Sequence, residues 1–123
     1  MYTRFKTITA ITAALMISAT ASFADPITFE DVYAAPDNAV LNLAYANQEI
    51  SKGDLLSAAN ALERLLLSQP NLDSVRLLYA KVLFMLDDKA AAARELDVLK
   101  GRSLSPENAQ TMNQLKKQVG ATS

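Results

Sequence analysis

Residues 43–65 read LAYANQEISKGDLLSAANALERL, and residues 77–99 read LLYAKVLFMLDDKAAAARELDVL. At a shift of 34 the second superposes on the first, aligning Leu43 with Leu77, Tyr45 with Tyr79 and Ala46 with Ala80. The same shift aligns Asp54 with Asp88, Ala58 with Ala92, Ala59 with Ala93, Leu62 with Leu96 and Leu65 with Leu99. Alanine and leucine coincidences are expected in a chain rich in both. The shared Tyr-Ala pair and the shared Asp, in one register, are harder to obtain by chance. A period of 34 belongs to units built as helix, turn and helix.

Local signals agree with that reading. Residues 39–51 form one expected helix, ended by Gly53, which reaches the left-handed conformation without strain. Asp54 is placed to cap the next helix by accepting from its free amides. Leu55, Ala58, Leu62, Leu65 and Leu66 then recur at helical spacing and make one apolar face. Pro70 closes this helix, because it lacks an amide donor and drives Gln69 towards extended geometry. In the second unit a helix starts at Asn71 or Asp73 and runs to about Leu86. Asp87 and Asp88 make the turn, Ala90 to Leu99 is the partner helix, and Gly101 stops it.

Ser105-Pro106-Glu107 announces a further helix, with a capping Ser, Pro in the first turn and an acid near the positive helix end. Its apolar residues Ala109, Met112, Leu115 and Val119 share one side. Glu107 follows Asp73 by 34 residues, so this one-sided helix stands where a third unit would begin and reads as a cap. Upstream, Thr28 to Ala35 is a candidate short helix capped by Thr28 and closed by Pro36.

In these residues the chain resembles the tetratricopeptide repeat (TPR) family. The first unit has Ala46 after an aromatic, Gly53-Asp54 at the turn, Ala58 at the helix crossing, bulky Leu62 and Leu65, and a closing Pro70-Asn71. The second has Tyr79-Ala80, Asp88, Ala92, Leu96 and Leu99. The chain departs from the pattern at Asn42 and Arg76, where the family usually has a large aromatic, and at Glu49, where it has a bulky apolar residue. The second unit also lacks the turn Gly and the closing Pro. The resemblance implies an all-α domain over residues 39–120, with repeats at about 39–72 and 73–104 and a capping helix at 105–120. Residues 25–38 form a lead-in to it.

The first residues read as a secretory signal. Arg4 and Lys6 precede a mostly apolar run from Ile8 to Ala21, and Ser22-Phe23-Ala24 offers small residues at the positions a signal peptidase inspects. Cleavage after Ala24 defines a signal peptide at 1–24 and an exported chain, most simply a periplasmic one. An uncleaved anchor is the alternative, although the apolar run is shorter than the roughly 20 residues a span needs. With cleavage no membrane span is expected. Removal of Arg4 and Lys6 leaves 10 of the 12 basic residues against 13 acids, a net charge of −3. A weakly acidic chain without a basic cluster is not expected to bind nucleic acid, whose phosphates demand neutralising cations.

The 123 residues contain no Cys, His or Trp. Cys or His nucleophiles, His bases and Cys/His zinc sites are therefore excluded. Glu30 with Asp31, Asp87 with Asp88, and Glu95 with Asp97 are the adjacent carboxylates. Caps and turns account for such residues better than acid–base catalysis does. There is no calcium-loop spacing and no Gly-rich phosphate loop. No enzyme activity, cofactor or metal is expected.

The resemblance implies instead a groove lined by the first helix of each pair, taking an extended or helical segment of another protein. By register this surface comprises Leu43, Asn47 and Ile50, then Leu77, Lys81 and Phe84, with Thr111, Leu115 and Gln118 from the last helix. Apolar residues at this spacing also build cores, and both readings of Leu43, Ile50, Leu77 and Phe84 stand. Tyr45 and Tyr79 are expected to be structural, and Glu49 to reach solvent or pair with Lys52. The expected function is an exported protein–protein interaction module or assembly adaptor. The alternative is a self-associating structural subunit of an envelope complex, a possible homodimer.

Overall fold

The computed structural model describes residues 25–121; the expected signal segment 1–24 lies outside them. Among the described residues there are helices and no strands. In order these are α1 (Phe29–Ala34), α2 (Ala39–Lys52), α3 (Leu55–Ser68), α4 (Asp73–Met85), α5 (Lys89–Val98) and α6 (Pro106–Ala121). None is long and apolar enough to cross a membrane.

The helix ends show why the chain folds back where it does. Gly53 sits at φ 84°, and the next amide, Asp54 N–H, donates to Glu49 O at 2.8 Å. Asp54 then accepts from Ser57 N–H at 3.1 Å and starts α3. The turn between α4 and α5 repeats this geometry without glycine. Asp87 takes φ 66°, Asp88 N–H donates to Leu83 O at 2.9 Å, and Asp88 accepts from Ala91 N–H at 3.1 Å. Asp87 thus fills the left-handed place of Gly53, a conformation Asp tolerates better than most side chains. Helix α4 starts at Asp73, one of the two expected positions. Its cap is Leu72, which offers no side-chain bond, and Asp73 lies inside the helix paired with Arg102 at 3.0 Å. Ser105 caps α6 by accepting from Asn108 N–H at 3.2 Å.

Short turns and contact along their lengths make α2 and α3 antiparallel neighbours, and α4 and α5 likewise. Alpha-helices approach closely only over small side chains, and Ala46, Ala58, Ala61, Ala80 and Ala92 are all fully buried. Around them lie two clusters. The first joins Tyr45, Leu62, Leu65 and Leu66 with Val32 of α1 and with Val75 and Val82 of α4. The second joins Leu77 and Ala80 of α4 with Leu96, Leu99, Met112 and Leu115. Helix α4 is therefore apolar on two sides, as a helix shared by two clusters must be. A further segment of the chain packs on each helix pair. Helix α6 lies across α4 and α5, while Val32, the buried residue of α1, and the half-buried Ile27 pack in the first cluster.

Candidate functional site

The residues expected to line a groove divide into two sets. On α2, Asn47 is exposed, while Leu43 and Ile50 are half-buried against the first cluster. On α4, Leu77 is only 4 % exposed, Phe84 is half-buried against the second cluster, and Lys81 is exposed. Leu77 and Phe84 thus contribute mainly to packing.

The structure brings Leu77 and Lys81 together with the last helix. Ser74, Leu77, Leu78 and Lys81 face Glu107, Asn108 and Thr111 around a depression of about 280 Å³. A second depression, of about 210 Å³, is lined by Lys81, Thr111, Gln114, Leu115 and Gln118. Lys81 and Thr111 are common to both, so the two form one crease between α4 and α6. Leu43, Asn47, Ile50 and Phe84 line neither. One end of the crease is tied by Asn108 Nδ2, which donates to Ser74 Oγ at 3.0 Å. Ser74 and Asn108 are 34 positions apart, the same interval as the sequence repeat. Lys81 shares no ion pair with any of the described residues, whereas Arg76, Lys52, Lys89, Lys100 and Arg102 each have one. Around Lys81 the crease is lined by the nearly buried Leu77 and Leu115, by the carboxylate Glu107 and by the polar Asn108, Thr111, Gln114 and Gln118.

A different depression, of about 310 Å³, opens on the side where α3, α4 and α5 meet. It is lined by Glu63, Leu66, Leu67, Pro70, Arg76, Tyr79 and Glu95. Arg76 Nη1 pairs with Glu95 Oε1 at 2.5 Å, and Arg76 Nη2 donates to Pro70 O at 3.0 Å. Burial pushes the Tyr79 phenol above its usual value, with Glu63 and Glu95 adding to the effect. The Arg76–Glu95 pair joins residues 19 positions apart, and no adjacency in sequence signals it.

Apart from Glu30, the adjacent carboxylates have structural partners. Asp31 accepts from Thr28 N–H at 2.8 Å while Thr28 Oγ1 accepts from Asp31 N–H, and the backbone bond, chiefly, holds the Asp31 carboxyl below the usual range. Asp88 caps α5, Asp87 lies near Lys89, Glu95 holds Arg76, and Asp97 lies near Lys100. Among the described residues no group of three or more carboxylates stands close enough to hold a metal ion.

Glu49 combines the two alternatives expected for it in one way only. It pairs with Lys52 at 2.8 Å, yet its own side chain is 5 % exposed rather than solvated. The bond from Lys52, followed by one from Gln48, lowers its pKa. Comparison with protein-family models, with characterised proteins and with solved structures finds no match for the chain.

Proposed function

We propose that this chain is an exported, periplasmic protein-interaction module built as two tetratricopeptide-like units and a capping helix, and that it binds a segment of a partner protein along the α4–α6 crease. It acts as an adaptor or assembly factor and carries out no reaction. The repeat reading rests on the 34-residue register, on the matching turns at Gly53-Asp54 and Asp87-Asp88, and on buried alanines at equivalent places in both helix pairs. The export reading rests on the first 24 residues of the sequence.

The observation that carries the binding proposal is the exposed Lys81, which has no ion pair among the described residues, in a crease of mixed polar and apolar side chains. Such a surface suits a segment with aliphatic side chains and an acidic or carbonyl group opposite Lys81.

Lys81→Glu tests this. The side chain is exposed, so the variant should melt within about 0.5 kcal/mol of the parent. Partner recovery from envelope extract should fall at least tenfold. Undiminished recovery with an unchanged melt would remove the crease from the binding surface.

A further inference from the structure

The segment before α2 is held by side-chain amides rather than by a large apolar face. Gln48 reads both backbone groups of Ile27. Its Oε1 accepts from Ile27 N–H at 2.9 Å, and its Nε2 donates to Ile27 O at 2.7 Å, as an adjoining strand would. The Gln48 amide also donates to Glu49 Oε1 at 3.2 Å, and Glu49 is held in turn by Lys52. That chain of contacts fixes which way the Gln48 amide points. Val32, 1 % exposed, adds the apolar anchor; Phe29, half exposed, stacks on the more exposed Tyr33 and lies against the Arg64 guanidinium of α3, 5.3 Å from its ring centroid.

A separate set of bonds holds the turn between this segment and α2. Asn42, itself 1 % exposed, donates through Nδ2 to Ala35 O at 3.0 Å and to Asn38 O at 2.9 Å. These carbonyls flank Pro36 and Asp37. Gln69 Nε2 adds a bond to Asp37 O at 2.9 Å. Seat and turn are therefore stabilised by different residues, and Asn42 and Glu49 are two of the positions at which the chain departs from the repeat pattern.

We propose that the Gln48–Glu49 seat also takes residues 27–35 of a second copy of this chain, and that Asn42 selects the intramolecular arrangement by holding the 35–38 turn closed. The segment already seated is the occupant whose fit to this surface the structure displays. A reciprocal exchange between two copies reproduces every bond of the seat and gives a closed, two-fold dimer. This interface is independent of the α4–α6 crease.

The test compares turn and seat variants of the purified chain by sedimentation over a range of concentrations and by amide exchange at Ile27. The parent should be monomeric with Ile27 N–H protected. Asn42→Ala should double in mass as concentration rises while Ile27 stays protected, because the seat is filled by the other copy. Deletion of Pro36 and Asp37, which lie outside the helices, should force the same dimer and serves if Asn42→Ala does not fold. Gln48→Leu should expose Ile27 N–H and, combined with either turn variant, abolish the dimer. Monomeric turn variants, dimers with Ile27 unprotected, dimers that survive Gln48→Leu, or a deletion variant that also fails to fold would each overturn the proposal.

Discussion

Ala46, Ala58, Ala80 and Ala92 are 0 % exposed and lie where consecutive helices cross, so their lack of side-chain bulk sets the distance between helices. Ala58→Phe and Ala80→Leu should each overfill a crossing and cost about 1–3 kcal/mol or more. Urea denaturation measures the loss; an unchanged midpoint in Ala58→Phe would contradict the assigned packing. Asp87 presents the opposite case, a residue tolerated rather than required. It holds φ 66° at the place where Gly53 holds φ 84°. Asp87→Gly should raise stability by up to about 1 kcal/mol, the left-handed cost relieved less the entropy glycine adds to the unfolded chain. Its ion pair with Lys89 is long, at 3.7 Å, and Asp87 is exposed there, so little is lost with it. A lower melting temperature would show that Asp87 contributes more than its turn. Both positions are legible in sequence, the alanines from their recurrence and the turn from paired acids. The left-handed backbone of Asp87 is not, because an Asp-Asp pair is compatible with several turn types.

At the scale of the element, stability depends on how each helix end and the lead-in are tied. The Lys52–Glu49–Gln48 chain fastens Ile27 to α2. The Glu49 carboxyl is held below the usual range chiefly by its bond from Lys52. The carboxyls of Asp31, which closes the cap of α1, and Asp54, which caps α3, are lowered mainly by backbone bonds. A lowered folded pKa means that the bonds stabilise fully above the unfolded carboxylate value and lose their effect as pH falls through the folded one. Melting temperature should therefore fall as pH is lowered from neutral to about 3, and Glu49→Gln should start lower at neutral pH and fall less steeply. Parallel curves for parent and variant would show that Glu49 takes no part. The helices themselves are legible because caps, glycines and Pro70 are local signals. The lead-in's attachment is not. Gln48 and Ile27 are 21 positions apart, and nothing beside either residue marks the contact.

For the molecule as a whole, the chain packs a further segment on each helix pair and leaves Lys81 without an ion pair in a side crease. With no cysteine in the sequence, cross-links contribute nothing, and noncovalent interactions supply a stability of about 5–10 kcal/mol for a domain of this size. The crease was partly legible. Register brought Leu77, Lys81, Thr111, Leu115 and Gln118 into one surface, and the depressions hold all of them. Register alone could not show that Leu77 is mostly covered, that Leu43, Asn47 and Ile50 lie outside those depressions, or that Arg76 and Glu95 pair on another face. Those outcomes depend on how α6 and α5 lie across α4, which no spacing within one helix encodes. The central proposal, partner binding along the α4–α6 crease, is tested most directly by site-specific photo-crosslinking in cells. A photoreactive residue at exposed Gln114, on the crease, is compared with one at exposed Glu63, beside the Arg76–Glu95 pair. One discrete adduct is expected from position 114, lost with Lys81→Glu, and none from position 63. Adducts from position 63 alone, or a position-114 adduct indifferent to Lys81→Glu, would contradict the proposal.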